Sequence, residues 1–295
     1  MVACHGYADG LGKGNKLPAI RKALIPVAGR GTRMGPLAQV VPKAMFPLVD
    51  AAGRVRPVVH WICAEAAGAG IHQVALIVSP GHLETIRGYF SVVAGQASDL
   101  PREIVYIPAE PLGFGYAVLQ GEAFIGGEPF VVFLGDHVHQ AEANSPPCAA
   151  QVVAAFESRP GSAMIGMQVV GPEDLPRVGV AAGEPLDRHV YRCTALMEKP
   201  DLAAALTHLI TPGLGPDRFL AHGGIYVFSP QIFDCLRAVQ ARYPTGTDLP
   251  LADAQMELLA RRRQDYYLVE IAGRVFDTGT PPGYATAQAA FACLA

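Results

Sequence analysis

The sequence predicts an α/β fold built on a mostly parallel sheet. Two observations carry this. Short apolar, strand-like runs recur along the chain with helical patterns between several of them, and alternating strands and helices form βα units. The first apolar run then breaks into a glycine turn, "ALIPVAGRGTRM" at 23–34, where such a unit would place a ligand loop.

The elements follow in order. "ALIPVA" (23–28) is short enough for a fully buried strand. "RPVVHWICAEAAGAG" (56–70) reads as a helix ending at glycine. Strand "QVALIVS" (73–79), helix "HLETIRGYF" (82–90) and strand "EIVYIP" (103–108) come next. Helix "GYAVLQGEAF" (115–124) leads to strand "PFVVFLGD" (129–136), helix "CAAQVVAAFES" (148–158) and strand "SAMIGMQVV" (162–170). The later part adds helices at 201–210, 230–242 and 249–264 around strand "GGIYVFS" (223–229). "YYLVEIAGRVFDTGT" (266–280) reads as a hairpin or a pair of strands, before a closing helix over 284–295. One domain over 22–295, with an insertion or cap over the sheet, is expected. Residues 1–21 lack an apolar core of the signal-peptide kind and read as a flexible N-terminal arm.

Composition narrows the function classes. The net charge of −3 and the absence of a basic block argue against nucleic acid. No apolar stretch is long enough to span a bilayer, so no membrane partner is expected. The six cysteines are scattered without a CxxC pair. That suggests neither a disulfide framework nor a zinc site, but reduced thiols in a cytoplasmic protein.

The chemistry concentrates in a few places. A strand, the turn Gly29–Gly31, and the cations Arg33 and Lys43 suggest an anionic ligand, most simply phosphate. The turn is not the dinucleotide fingerprint, because Met34 stands where GxGxxG needs its third glycine, and no P-loop is present. A nicotinamide oxidoreductase is therefore disfavoured. Asp136 closes an apolar strand at the sheet edge where α/β proteins bind ligands. His137 and His139 read as ordinary loop or surface histidines. Glu198 and Lys199 follow a strand and would point to opposite sides if extended. Gly223 and Gly224 read as either a bulge or a surface for a ligand.

The longer pattern G-x-G-T-R-M-x-P-x(5)-P-K-x-x-x-P, Gly29 to Pro47, closely resembles the signature of sugar-1-phosphate nucleotidyltransferases, especially bacterial UTP–glucose-1-phosphate uridylyltransferases. "EPLGFGYAV" (110–118), "FLGD" (133–136), "MEKP" (197–200), "GGIYVFSP" (223–230) and "FDTGTPPGY" (276–284) resemble the later motifs of that family. The resemblance implies a Rossmann-like three-layer fold of the nucleotide-diphospho-sugar transferase type, with a mostly parallel mixed sheet. It implies transfer of a nucleoside monophosphate from an NTP to a sugar-1-phosphate, releasing pyrophosphate, in a homo-oligomer. The nucleophile is already an anionic phosphate oxygen, so the enzyme's work is positioning and charge neutralisation.

Carried over residue by residue, the resemblance makes Arg33 the triphosphate and transition-state contact. Lys43 touches the α-phosphate and the sugar phosphate. Ala28, Gly29, Gly31, Thr32, Glu110 and Gly113 bind the nucleotide, with the base packed flat on Gly113. Glu198 accepts sugar hydroxyls, Lys199 binds the sugar phosphate, and Gly224 lies against the sugar. Asp136 and Asp277 share one Mg²⁺, an ion that takes few protein ligands.

Two departures bear on specificity. Pro108 stands where the pyrimidine-selective relatives place a glutamine, and Ile225 where uridylyltransferases place an arginine. "EPLG" also resembles the guanylyltransferase loop, in which Glu110 would accept from the guanine edge. UTP with glucose 1-phosphate leads. A guanylyl- or thymidylyltransferase acting on another sugar or cyclitol phosphate is the alternative, and a non-catalytic nucleotide-sugar-binding regulator is the rival class. The second is disfavoured because Arg33, Lys43, Asp136, Asp277 and Lys199 are all present.

Overall fold

The computed structural model describes residues 20–293. The arm expected over 1–21 lies, as far as residue 19, outside the described residues. Ile20 is buried, and the carbonyl of Arg21 accepts from the backbone N–H groups of His72 and Gln73.

Thirteen strands are formed among the described residues: β1 (Lys22–Pro26), β2 (Pro47–Val49), β3 (Val55–Pro57), β4 (Gln73–Val78), β5 (Glu103–Pro108), β6 (Phe130–Phe133), β7 (His137–Ala141), β8 (Ala163–Val170), β9 (Gly179–Asp187), β10 (Val190–Glu198), β11 (Phe219–Phe228), β12 (Tyr266–Glu270) and β13 (Gly273–Asp277). Nine of them make one sheet in the order β5-β4-β1-β6-β11-β8-β12-β10-β9. β5, β4, β1 and β6 are mutually parallel. β11 runs against its neighbours β6 and β8, and β10 against β12 and β9, while β8 and β12 are parallel. The sheet is mixed and mostly runs one way, as expected.

Alternate residues of the central strands feed two cores, which makes the third layer. Ala23, Ile25 and Val27 face one core with helices Val58–Gly68, Cys148–Ser158 and Pro281–Phe291. Leu24, Phe130 and Val132 face the other, with helices Phe114–Gln120, Gln231–Gln240 and Leu251–Arg261. Strands buried on both faces read as continuous apolar runs, which is why these segments are legible in the sequence. Among the described residues no helix is long and apolar enough to cross a membrane.

Of the two forms expected for residues 266–280, the structure has the pair of strands and not the hairpin: β12 lies inside the large sheet, whereas β13 leaves it to pair with β7. The fold departs from the sequence reading in two places. The helix expected over 115–124 is interrupted at Gly121 into Phe114–Gln120 and Glu122–Ile125. The long antiparallel pair β9–β10 carries two register shifts, and its broken alternation hides it from a periodicity search.

The chain reverses its progression across the sheet at β1. β4 and β5 lie on one side of it and β6 on the other. Such a switch point opens a crevice beyond the carboxyl ends of the strands, and the loops after β1 and β6 both open there.

Candidate active site

A cleft of about 490 Å³ occupies this switch point. It is lined by Ala28, Gly29, Gly31, Thr32, Glu110 and Gly113, and also by Arg33, Lys43 and Asp136. The tertiary fold thus gathers the nucleotide-binding and catalytic candidates from three separate loops. Gly113 has φ +96°, and a Cβ there would stand 2.6 Å from the backbone of Leu249. The need for glycine at this position is met by packing inside the protein, whether or not a base lies on it. Pro108 ends β5, exposed, and is not among the lining residues; Glu110, two residues on, is. Of the two positions weighed for specificity, only Glu110 borders the cleft.

Asp277, not itself a lining residue, comes beside Asp136 by a separate route. β13 pairs with β7 in register Asp277↔His137, so the two side chains share one face of a two-stranded ribbon. Asp136 immediately precedes that ribbon. Ligand atoms of Asp136, His137 and Asp277 all lie within 4.8 Å of one another. The two carboxylates, 141 residues apart in sequence and 4.8 Å or less apart in space, are close enough to share one ion.

Charges are arranged around them in opposed pairs. The Lys43 ammonium is in close contact with Asp136 Oδ2, and Arg33 Nη1 is 3.8 Å from Asp277 Oδ2. The Lys43 side chain is 17% exposed and the Arg33 side chain 61%, so the lysine is held while the arginine is free to swing. Burial works to raise the Asp136 carboxyl, but Lys43 and then His137 outweigh it and hold it well below the usual carboxylate range. Two carboxylates facing two cations at a cleft suit a divalent ion and a polyanion, which would each take one set of partners.

Gly279, within "FDTGT", carries no local mark of a functional role. A Cβ there would stand 2.5 Å from Asp136 Oδ2, 2.9 Å from Asp277 Oδ1 and 3.1 Å from Arg33 Nη2. Its missing side chain keeps the space between the two acids open. Gly279→Ala is expected to lower turnover tenfold or more, on the order of the ~10²-fold that a 1 Å misplacement costs. Its melting temperature should stay near wild type, because the clash is with side-chain ends; a fully active Gly279→Ala would show that the space is not used. Asp248 also lines the cleft, and nothing in its local sequence marked it.

His137 and His139 are not loop histidines. Both belong to β7, and His139 is buried, its Nε2 donating to the Gly223 carbonyl at 2.7 Å. Burial lowers the His139 ring to about 4, with the Gly223 carbonyl opposing, and burial alone lowers His222 to about 4. Rings that stay neutral in the fold but protonate when unfolded make the unfolded chain the better proton binder between about pH 4 and 6.5. Stability should therefore fall as pH falls through that window, by about 2 kcal/mol per histidine at pH 5. Urea unfolding at about pH 7 and pH 5 checks this, and equal stabilities would contradict it.

The sugar candidates sit apart from the cleft lining. Glu198 ends β10, and Lys199 follows it at φ +48°. The two do not point to opposite sides: Lys199 Nζ is 3.5 Å from Glu198 Oε1, with both half exposed. A lysine in the left-handed region ahead of a proline is costly and marks strained sites. Gly223 and Gly224 form the β-bulge, where β11 shifts register against β8 between His222 and Tyr226. Gly224 has φ +78° and is buried, its carbonyl taken by Leu134 N–H; a Cβ there would meet His137 at 3.1 Å. Tyr226 links the two regions. Burial raises its hydroxyl far above the usual phenol range, and the carboxylates of Glu198 and Asp136 both add to that.

The Nucleotidyl transferase family model matches residues 22–292. A UTP–glucose-1-phosphate uridylyltransferase of Bacillus subtilis (strain 168) is 31% identical, over 90% of this chain and 86% of its own. A second from the same strain is 32% identical, over 92% and 91%. Among solved structures, a UDP-glucose pyrophosphorylase complexed with UDP-glucose superposes with a TM-score of 0.76 at 25% identity, covering 92% of this chain and 98% of that one.

Proposed function

The chain belongs to the nucleotidyl transferase family, and from that premise we propose that it transfers the uridylyl group of UTP to glucose 1-phosphate, giving UDP-glucose and pyrophosphate. It is an enzyme of nucleotide-sugar formation. The observation that carries the reading is the cleft in which Lys43 and Arg33 face Asp136 and Asp277 across the open space at Gly279.

In this reading an oxygen of the sugar phosphate attacks the α-phosphorus of UTP as the bond to the bridging oxygen of pyrophosphate breaks. No proton need be removed from the nucleophile. Gly29, Gly31 and Thr32 present backbone N–H groups to the triphosphate, and Arg33 leaves Asp277 to take charge developing on the leaving pyrophosphate. Lys43 holds the two reacting phosphates together. Glu198 accepts sugar hydroxyls and Lys199 receives the sugar phosphate. Ala28, Glu110 and Gly113 flank the base, and Gly224 shapes the sugar end through the bulge. Asp136 and Asp277 fit a divalent ion, Mg²⁺ in the simplest case, which supplies charge neutralisation on the phosphates.

Cytoplasmic location and a homo-oligomeric state belong to the same proposal. Free described cysteines support a reducing compartment, and light scattering would report the oligomer.

A guanylyltransferase is the second reading, favoured by one observation: Glu110 lines the cleft and Pro108 does not. A carboxylate matches the N1–H and N2–H₂ donors of guanine, and a site built for one edge rejects another by leaving groups unpaired. The test is a matrix of NTPs against sugar-1-phosphates, scored by pyrophosphate release. UTP with glucose 1-phosphate should give the highest kcat/KM, and no release with any pair would leave only a binding role. Pro108→Gln is expected to leave the UTP/GTP ratio unchanged; a sharpened UTP preference would show that residue 108 does reach the base.

A further inference from the structure

We infer that His137 is a third ligand of the divalent ion and that its imidazole makes this site favour a first-row transition dication over Mg²⁺. The inference rests on the reading that the cleft works with a divalent ion, and adds a donor and a selectivity to it.

Three observations place His137 there. The register partner of Asp277 in the β7–β13 ribbon is His137 itself, so strand pairing projects both side chains to the same face. His137 Nδ1 lies 3.0 Å from Asp136 Oδ1. Two donors at right angles around an ion with bonds of roughly 2.1 Å stand about 3.0 Å apart. The spacing is therefore already that of neighbouring ligands. Finally, the ring is held in position. Its Cβ and Cδ2 rest 3.1 Å from the point where a Gly224 side chain would begin, and the side chain is 17% exposed.

The chemistry of the donor set sets the preference. Mg²⁺ binds oxygen, keeps its waters and gains little from an imidazole. Mn²⁺, Co²⁺ and their neighbours take carboxylate and imidazole together, with affinity rising along the series. The carboxylate edge toward His137 is Oδ1, while Lys43 holds Oδ2, so a ligand on that edge need not first displace the lysine.

The test uses Mn²⁺ as the probe, alone and with the non-hydrolysable α,β-methylene analogue of UTP. Pulsed electron paramagnetic resonance of Mn²⁺ bound to the whole chain should show coupling to a directly bound imidazole nitrogen. Growing the protein on ¹⁵N-histidine should change that coupling, which requires no variant. His137→Gln and His137→Asn, with folding checked by circular dichroism, should abolish it. In competition titrations the wild type should hold Mn²⁺ at least about tenfold over Mg²⁺, and the variants should lose most of that ratio with little change in Mg²⁺ affinity. Absent nitrogen coupling, coupling that survives in folded His137 variants, an unchanged ratio, or no bound Mn²⁺ under either condition would each overturn the inference. If nitrogen coupling is found while no nucleotide and sugar-phosphate pair releases pyrophosphate, the reaction reading fails and the metal site stands.

Discussion

Arg33→Ala is expected to lower kcat by about 10²–10³-fold, the usual cost of losing one well-placed charge-stabilising donor, while KM for UTP changes little. The guanidinium is 61% exposed, and its ion-pair partner is Asp277 at 3.8 Å. Such an exposed pair contributes little to stability, so the variant should fold normally. What alanine removes is a fork of donors on the short 3₁₀ turn Thr32–Met34 beside the cleft, which in the proposed reaction follows the leaving pyrophosphate. Arg33→Lys should recover only part of the rate, because an ammonium lacks the paired donor geometry. Steady-state pyrophosphate release on the purified variants decides the matter. Wild-type turnover by folded Arg33→Ala would make the residue a solvated loop cation.

Asp136→Asn should be more damaging, with kcat/KM falling by about 10³-fold or more, since a bound ion supplies several kcal/mol of transition-state stabilisation. The residue is a junction. Its carboxylate meets Lys43 and His137, and its carbonyl accepts from both the N–H and the hydroxyl of Thr278, each at 2.8 Å. An amide keeps the shape but removes the charge, leaving the Lys43 ammonium nearly buried without its counterion. Breaking a buried pair from one side costs about 3–5 kcal/mol, so this variant should also melt earlier. The sign with pH follows from the depressed carboxyl. Its stabilisation is fully present above the ordinary carboxylate value of 3.8 and is lost as pH falls below it toward the lowered folded value. Wild type and variant should therefore differ most near neutrality and converge in strong acid. Retained activity in folded Asp136→Asn would remove Asp136 from the metal site.

Much of the site was legible because its parts are local. The turn Gly29–Gly31, the cations Arg33 and Lys43, and Asp136 at the end of an apolar run each sit in a few consecutive residues whose chemistry can be read directly. Their assembly at one cleft followed from the βα order. His137 lies in a strand rather than a loop because it pairs with Asp277, 140 positions later, and no local feature of the sequence signals that pairing. Glu198 and Lys199 were expected on opposite sides because an extended backbone was assumed, and the positive φ of Lys199 breaks that assumption.

The sequence by itself determined the α/β class, the central parallel strands and the glycine turn after the first of them, because burial on both faces and tight turns leave periodic and compositional marks within a short window. The tertiary structure alone decided that β13 abandons β12 to pair with β7, that Gly279 keeps the space between two acids open, and that Glu110 rather than Pro108 borders the cleft. Each of these depends on which distant backbone lies alongside, and strand pairing and loop packing between remote segments leave no repeating signal in either segment alone.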